Sequence, residues 1–132
     1  MKRNKTLRIS LILVFAASVL TLVQVRCRHD GLKVDELDKV CYEKDISPIF
    51  LNSCGTTGCH DSQGGEAGYS FTNYAGVMKA VTPSDAQKSI AYKAITGKGF
   101  VQLMPPAGAL TEKERILIRV WIDQGAVQTD CN

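Results

Sequence analysis

The hydrophobic pattern divides the chain into one long apolar run near the N-terminus and a series of short amphipathic segments after it. The run Ile9–Val25 contains no charged residue and follows the basic stretch MKRNKTLR. A basic stretch before an apolar one is the layout of a secretory signal, and the run is marginally short for a membrane-spanning helix. Residues 1–27 are therefore predicted to be a signal peptide, a lipoprotein signal or an uncleaved anchor.

The segment that follows is charged and has no sustained apolar face. Its sequence, RHDGLKVDELDK, has the composition of a mobile arm. Apolar spacing typical of helices begins at Cys41 and continues towards the C-terminus. We therefore expect a tether over residues 28–40 and one folded domain over residues 41–132.

Four stretches of this domain have apolar residues at helical spacing, with loops rich in glycine, proline and polar residues after the first and the third. They are DISPIFLNSC, FTNYAGVMKAV, TPSDAQKSIAYKAITGKG and TEKERILIRVWIDQ. The predicted N-caps, in that order, are Asp45, Thr72 or Asn73, Thr82 or Ser84, and Thr111 with Glu114 as its capping-box partner. Helix stops are expected at Gly97 and Gly125. Strand-like alternation does not persist, so the predicted fold class is all-α, with three to five helices and long loops.

The same spacing predicts which side of each helix is buried. The expected buried residues are Ile46, Ile49 and Phe50 in the first helix, Ile90, Ala91, Ala94 and Ile95 in the third, and Ile116, Leu117, Val120 and Trp121 in the last. The stretch FVQLMPPAGAL before the last helix is expected to be an extended loop, because its two consecutive prolines interrupt a helix.

The charge of the chain excludes one class of partner. The chain has 16 basic and 13 acidic residues, a formal charge of +3 at pH 7. Five of the basic residues lie in or beside the N-terminal apolar run: Lys2, Arg3, Lys5, Arg8 and Arg26. The rest of the chain keeps 11 basic residues against 13 acidic ones, a charge near −2. Such a composition predicts no basic surface for nucleic acid.

The strongest chemical signal is the stretch CGTTGCH, Cys54 to His60. A c-type haem is attached by two cysteine thiols, which add to its vinyl groups, and a histidine directly after the second cysteine ligates the iron, usually with the spacing C-x-x-C-H. Here Gly55–Gly58 separate Cys54 from Cys59, and the two glycines would allow this longer spacer to bulge. The same residues could form a disulfide in a short loop, or bind zinc with one further cysteine.

A methionine further along the chain favours haem over these alternatives. Haem iron in electron-transfer proteins often takes a methionine opposite its histidine. Met104 lies in LMPP, where two prolines stiffen the loop, and a rigid loop is what such a ligand requires. Met78 lies in an apolar helical stretch and is interpreted as a packing residue.

The stretches PIFLNSCGTTGCH, LMPP and IRVWIDQGA together resemble a monohaem class I cytochrome c, and in particular the bacterial domains with a widened cysteine spacing, C-x4-C-H. The resemblance runs from about Cys41 to the C-terminus. It implies a cytochrome c-like fold around one haem c, with thioethers at Cys54 and Cys59. It also implies that His60 is the proximal ligand of the iron and Met104 the distal one.

The resemblance also bears on the two ends of the domain. The N- and C-terminal helices of the family cross beside the haem, which implies that Phe50 and Trp121 are aromatic contacts of that crossing. The crossing would bring Cys41 close to Cys131. A disulfide between them is therefore expected in an exported protein, with two free thiols as the alternative.

One cysteine of the five remains after these assignments. Cys27 stands directly after the apolar run and is a candidate for lipidation, although Arg26 occupies the position where a small residue is usual. The expected location is therefore outside the cytoplasm, either free in the periplasm or anchored to a membrane and facing the periplasm.

The resemblance implies electron transfer rather than catalysis. An iron with six ligands has no open position for a substrate, so we expect an electron carrier that is not an enzyme, or the carrier subunit of a redox complex. Its partners would be redox proteins that dock transiently at the haem edge. Two alternatives stay open: a haem sensor or redox-enzyme subunit in which Met104 is labile, and a non-haem zinc or disulfide-stapled binding module.

Overall fold

The computed structural model describes residues 37–63 and 65–131 as a helical unit. Its elements, in chain order, are a π-helical turn (Tyr42–Ile46), α1 (Ser47–Ser53), a 3₁₀ turn (Glu66–Gly68), α2 (Tyr74–Met78), α3 (Ile90–Thr96) and α4 (Glu112–Asp123). The described residues contain no strand, so the predicted all-α class with three to five helices is confirmed. A long loop joins α3 to α4, as the two prolines predicted, whereas the long connection between α2 and α3 takes the place of residues predicted to be helical.

The first helical segment begins earlier than predicted. The helical path starts at Tyr42 and continues without a break into α1, so the prediction of Asp45 as the N-cap is wrong. The Asp45 carboxylate instead accepts a hydrogen bond from the backbone N–H of Cys41 at 2.9 Å. The N–H of Cys41, at the start of the helical path, has no partner in the helical backbone. The Asp45 side chain, four residues later in the same path, supplies that partner.

The second helix follows the prediction and the third does not. The Asn73 side chain accepts from the Gly76 N–H at 2.9 Å, so Asn73 caps α2. However, α3 begins only at Ile90, and neither Thr82 nor Ser84 caps it. The expected helix stop at Gly97 is confirmed, since that residue has the left-handed conformation.

Buried Ser89 explains why residues 82–89, which were predicted to begin the third helix, form turns instead. Its hydroxyl accepts from the Thr82 N–H at 2.9 Å and contacts the carbonyls of Thr82 and Asp85 at 3.2 and 2.9 Å. These bonds hold the preceding residues in turns, since a serine hydroxyl competes with the helical bonds of the backbone. The predicted burial of Ala91 and Ile95 is confirmed, whereas Ile90 is 43% exposed and Tyr92 is buried.

The last helix has the predicted ends, but its buried face agrees with the prediction only at Trp121. Thr111 and Glu114 form the capping box, with the Glu114 carboxylate 2.8 Å from the Thr111 N–H. The helix ends at Asp123, just before Gly125. The residues that α4 buries are Ile118, Trp121 and Ile122, whereas the predicted Ile116 is 51% exposed and Leu117 and Val120 are partly exposed. The stretch RILIRVWI is apolar at so many positions that its pattern fits more than one face.

The two ends of the domain are joined. Cys41 and Cys131 form the predicted disulfide, with their Cα atoms 5.8 Å apart. Beside it the Glu43 N–H donates to the Thr129 carbonyl at 3.0 Å. The N-terminal turn therefore packs against the end of the chain, close to α4.

No helix within residues 37–63 and 65–131 has the length and hydropathy needed to cross a bilayer. The predicted signal or anchor, its cysteine Cys27 and most of the predicted tether lie outside the described residues. The described end of that tether is bonded to the domain, because Gln124 accepts from the Val40 N–H at 2.9 Å and donates to the Asp38 carbonyl at 3.0 Å.

Candidate functional site

One pocket of about 700 Å³ brings the predicted ligands together. Cys54, Cys59, His60 and Met104 all line it. Its walls are largely apolar and include Phe50, Tyr69, Phe71, Ala80, Ala91, Ile95, Pro105 and Pro106. A mostly apolar cavity of this size with a few convergent polar groups is typical of cofactor sites.

The two thiols have different surroundings. Cys54 follows α1 directly and is buried, with its N–H bonded to the Phe50 carbonyl at 2.9 Å. Burial, with smaller contributions from Cys59 and Glu114, raises the pKa of the Cys54 thiol to about 11. Cys59 is exposed and, like Cys54, forms no disulfide. Both sulfur atoms are therefore available for covalent attachment, one from the wall of the pocket and one from its rim.

The four-residue spacer is closed at its base by a backbone bond. The N–H of His60 donates to the carbonyl of Cys54 at 3.0 Å, so the two residues are neighbours although five residues separate them in the chain. Within the spacer the Cys59 N–H donates to the Thr56 carbonyl at 3.0 Å. Gly58 has φ +78°, a conformation that glycine adopts at little cost. The spacer therefore bulges outward without separating the first cysteine from the histidine.

Among the described residues, the orientation of His60 leaves one ring nitrogen free for a metal. Nδ1 lies 3.1 Å from the carbonyl oxygen of Tyr69, which can only accept, so Nδ1 carries the proton. Nε2 then keeps its lone pair, the arrangement that most metal-ligating histidines show. The Phe71 N–H donates to the His60 carbonyl at 2.8 Å, and the two rings lie 4.7 Å apart. These contacts fix the imidazole in the pocket.

Met104 is held by its backbone. Its N–H donates to the Ala94 carbonyl of α3 at 3.0 Å, and Pro105 and Pro106 follow it. Its side chain is partly buried and lines the pocket, whereas Met78 packs against the hydrophobic core. The structure thus puts Met104, and not the competing methionine, in the same cavity as His60.

The two aromatic residues expected at the helix crossing lie in different places. Phe50 lines the pocket and packs on Phe71, with ring centroids 5.3 Å apart. Trp121 is buried where α4 meets the π-helical turn, and its ring lies 5.4 Å from that of Tyr42. Phe50 is therefore a wall of the site, and Trp121 is part of the core that joins the two ends of the domain.

The zinc alternative lacks ligands in the described part of the chain. Over residues 37–63 and 65–131, no group of three or more His, Cys, Asp or Glu side chains is arranged to hold a metal ion. Cys41 and Cys131 are bonded to each other and offer no thiolate. Two thiols and one imidazole on an apolar pocket fit a covalently attached porphyrin better than a bare ion.

Sequence reasoning missed two contributions to the site. The Tyr69 carbonyl that orients His60 is a backbone group, and no sequence pattern marks it. Asp61, which follows His60, accepts hydrogen bonds from the Gly58 and Gln63 N–H groups, and these bonds hold the pKa of its carboxyl below the ordinary value. An aspartate three residues after a glycine is typical of a residue that caps a turn, so this role of Asp61 could have been predicted from the sequence.

Comparison with known proteins supports the same interpretation. Residues 57–108 match the family model described as Planctomycete cytochrome C, a stretch that contains Cys59, His60 and Met104 and lies within the described domain apart from residue 64. No curated protein and no solved structure matches the chain. The match and the pocket together support a cytochrome c-like domain with a haem-binding, electron-transfer role.

Proposed function

We propose that this protein carries single electrons with a haem c that is bound through thioethers to Cys54 and Cys59 and ligated by His60 and Met104. The observation that carries the proposal is the convergence of two free thiols, an imidazole with Nε2 available and a thioether in one apolar pocket. When bound, haem supplies an iron that alternates between the ferrous and ferric states.

The residues around the pocket have defined tasks in this proposal. The Tyr69 carbonyl accepts a hydrogen bond from Nδ1–H of His60, which fixes the ring and makes Nε2 a stronger ligand. The apolar walls formed by Phe50, Phe71 and Ile95 exclude water. A methionine ligand together with a dry site favours the reduced state and raises the reduction potential. His60 and Met104 would both hold the iron and would leave no position for a substrate, so the expected role is that of a carrier and not an enzyme.

The rim of the pocket has exposed apolar residues that are suited to the docking of redox partners. Phe100 lines the pocket and is fully exposed to solvent, and Ile90 lines it and is 43% exposed. Apolar side chains at the mouth of a redox site suit small, short-lived contacts with a partner protein. We therefore propose that redox proteins dock transiently at this mouth.

The proposed location is outside the cytoplasm. The Cys41–Cys131 disulfide supports an oxidising compartment, because such bonds are rare in the reducing cytosol. Residues 1–27 have the layout of an export signal or an anchor. The protein would then work in the periplasm, free or held at the membrane through an anchor or a lipid on Cys27.

An absorption spectrum with two methionine variants tests the proposal. The full chain is produced in a host that matures c-type cytochromes, and its haem is expected to remain with the protein during acid–acetone extraction. The oxidised protein should show the weak long-wavelength band that accompanies methionine ligation of haem iron. Met104→Ala should lose this band, and the matched control Met78→Ala should keep it. Retention of the band in Met104→Ala would contradict the assignment of Met104.

A further inference from the structure

Asp61 makes hydrogen bonds on both sides of the attachment residues. Its Oδ2 accepts from the Gly58 N–H at 3.0 Å, and its Oδ1 accepts from the Gln63 N–H at 2.8 Å. Cys59 and His60 lie between Gly58 and Asp61 in the chain. Both carboxylate oxygens are thus used to fold the backbone around the second cysteine and the histidine.

The widened spacer creates a need for such a constraint. Gly58 has positive φ, and Thr56, Thr57 and Gly58 are exposed. The N–H of Cys59 bonds only back into this spacer, to the Thr56 carbonyl, as far as the described residues show. A spacer with this much solvent exposure and glycine content has many competing conformations. The direction of the Cys59 side chain therefore depends on what holds the spacer in place.

Two anchors fix Cys59 from opposite sides. On its C-terminal side, its carbonyl accepts from the Glu66 N–H at 2.8 Å. On its N-terminal side, the bond to Asp61 ties the Gly58 N–H to the segment beyond His60. Hydrogen bonds to an ionised carboxylate are stronger than those between neutral groups. The Asp61 bond thus restrains the part of the spacer that the Glu66 bond does not reach.

We propose that Asp61 is the positioning residue that holds Cys59 in reach of a haem vinyl group, in place of the tight turn of a C-x-x-C-H motif. This inference rests on the proposed function. The attachment is an addition: a carbon–sulfur bond forms, the S–H bond and the vinyl π bond are lost, and the thiol hydrogen ends on the other vinyl carbon. No oxidant or reductant is consumed. Asp61 does not touch the reacting atoms and acts only through the backbone of the spacer.

The chain offers graded variants and a matched control. Asp61→Ala removes both acceptors, and Asp61→Asn keeps one carbonyl oxygen and loses the other acceptor. Asp85 has a similar role elsewhere, since its carboxylate accepts from the Lys88 N–H at 3.0 Å in a turn that does not line the pocket. Asp85→Ala therefore reports the effect of losing a carboxylate from a turn that lies away from the site.

The experiment compares the four full-length proteins after haem maturation in the same host. The α-band of the pyridine haemochrome lies at longer wavelength when one vinyl group remains unsaturated, and peptide mass spectrometry identifies the cysteine that carries the haem. In Asp61→Ala we expect the singly attached fraction to rise about fivefold or more, the population change expected from one lost hydrogen bond. The haem should then be bound at Cys54, with a free thiol at Cys59. Asp61→Asn should lie between Asp61→Ala and the wild type, and Asp85→Ala should match the wild type.

Several results would overturn the inference. One is a wild-type ratio of doubly to singly attached haem in both Asp61 variants, and another is a free thiol at Cys54 instead of Cys59. If Asp61→Ala yields no folded protein, Asp61→Asn decides: a singly attached fraction above that of Asp85→Ala supports the inference, and an equal fraction refutes it. A wild-type chain without haem would overturn the proposed function itself, whereas a haem-bearing wild type with unaffected variants overturns the role of Asp61 alone.

Discussion

Removal of the Cys41–Cys131 disulfide tests how the ends of this small domain are held together. The bond links residues that are 90 positions apart in the sequence. In the chain-entropy description, closing a loop of this length stabilises the folded state by about 4–5 kcal/mol, because it removes conformations from the unfolded chain. Single domains have roughly 5–15 kcal/mol of stability in total. The double variant Cys41→Ala/Cys131→Ala is therefore expected to lose a large share of its free energy of unfolding.

Contacts beside the disulfide should keep the fold in the variant. The bond from the Glu43 N–H to the Thr129 carbonyl does not involve either cysteine, so we expect native helices with a lower urea midpoint. Unfolding of the haem-bearing protein can be followed by the fluorescence of Trp121, the single tryptophan, which is buried beside this region. The slope of the transition should increase, because the unfolded chain without the bond exposes more surface.

A neighbouring variant provides the control for this measurement. Gln128→Ala removes an exposed side-chain bond to Glu43, 2.8 Å long, at the same end of the domain. Its free energy of unfolding should change by less than about 0.5 kcal/mol, as is usual for surface substitutions. A loss below about 1 kcal/mol in the double cysteine variant would refute the loop-closure reasoning, since that loss is far below what a loop of this length should contribute.

Two further predictions concern ligand access and pH. The reduced wild-type protein should bind carbon monoxide slowly and Met104→Ala rapidly, with Met78→Ala like the wild type; rapid binding by the wild type would favour the haem-sensor or enzyme-subunit alternative. Burial, followed by the charge of Glu43, raises the pKa of Tyr42 from 10.0 to about 12. The folded state therefore favours the neutral phenol of Tyr42. Burial of this neutral side chain contributes its full stabilisation below pH 10, and the stabilisation is lost as the pH rises towards 12, because the phenol ionises more readily in the unfolded chain. Urea midpoints measured across that range should fall less in Tyr42→Phe, and an identical fall in both proteins would contradict this role of Tyr42.

The features that could be predicted from the sequence are those that depend on local chemistry. The caps at Asn73 and Thr111 involve a side chain and a backbone group three residues apart, so their pattern is visible in the sequence. The motif spacing and the resemblance predicted that four ligand residues lie close together. In the structure all four line one pocket: Cys54, Cys59, His60 and Met104.

The features that could not be predicted depend on contacts between distant parts of the chain. Ser89 is fully buried and holds a turn through Thr82, and nothing in the local pattern distinguishes this from a helical serine. The burial of Ile118 and Ile122 in place of Ile116 is set by what packs against α4, whereas the burial of Trp121 was predicted correctly. The carbonyl of Tyr69 orients His60 only because the intervening loop folds back on the histidine. In each case tertiary packing overrides the local preference.

The most direct test of the account is the intact mass of the purified, denatured protein after expression with cytochrome c maturation. Denaturation removes a haem that is held only by ligation, but not one that is held by thioethers. The account predicts the mass of the polypeptide plus one haem, with peptide mapping that places the haem on both Cys54 and Cys59. The mass of the bare polypeptide, from a host that attaches haem to a control cytochrome, would contradict it.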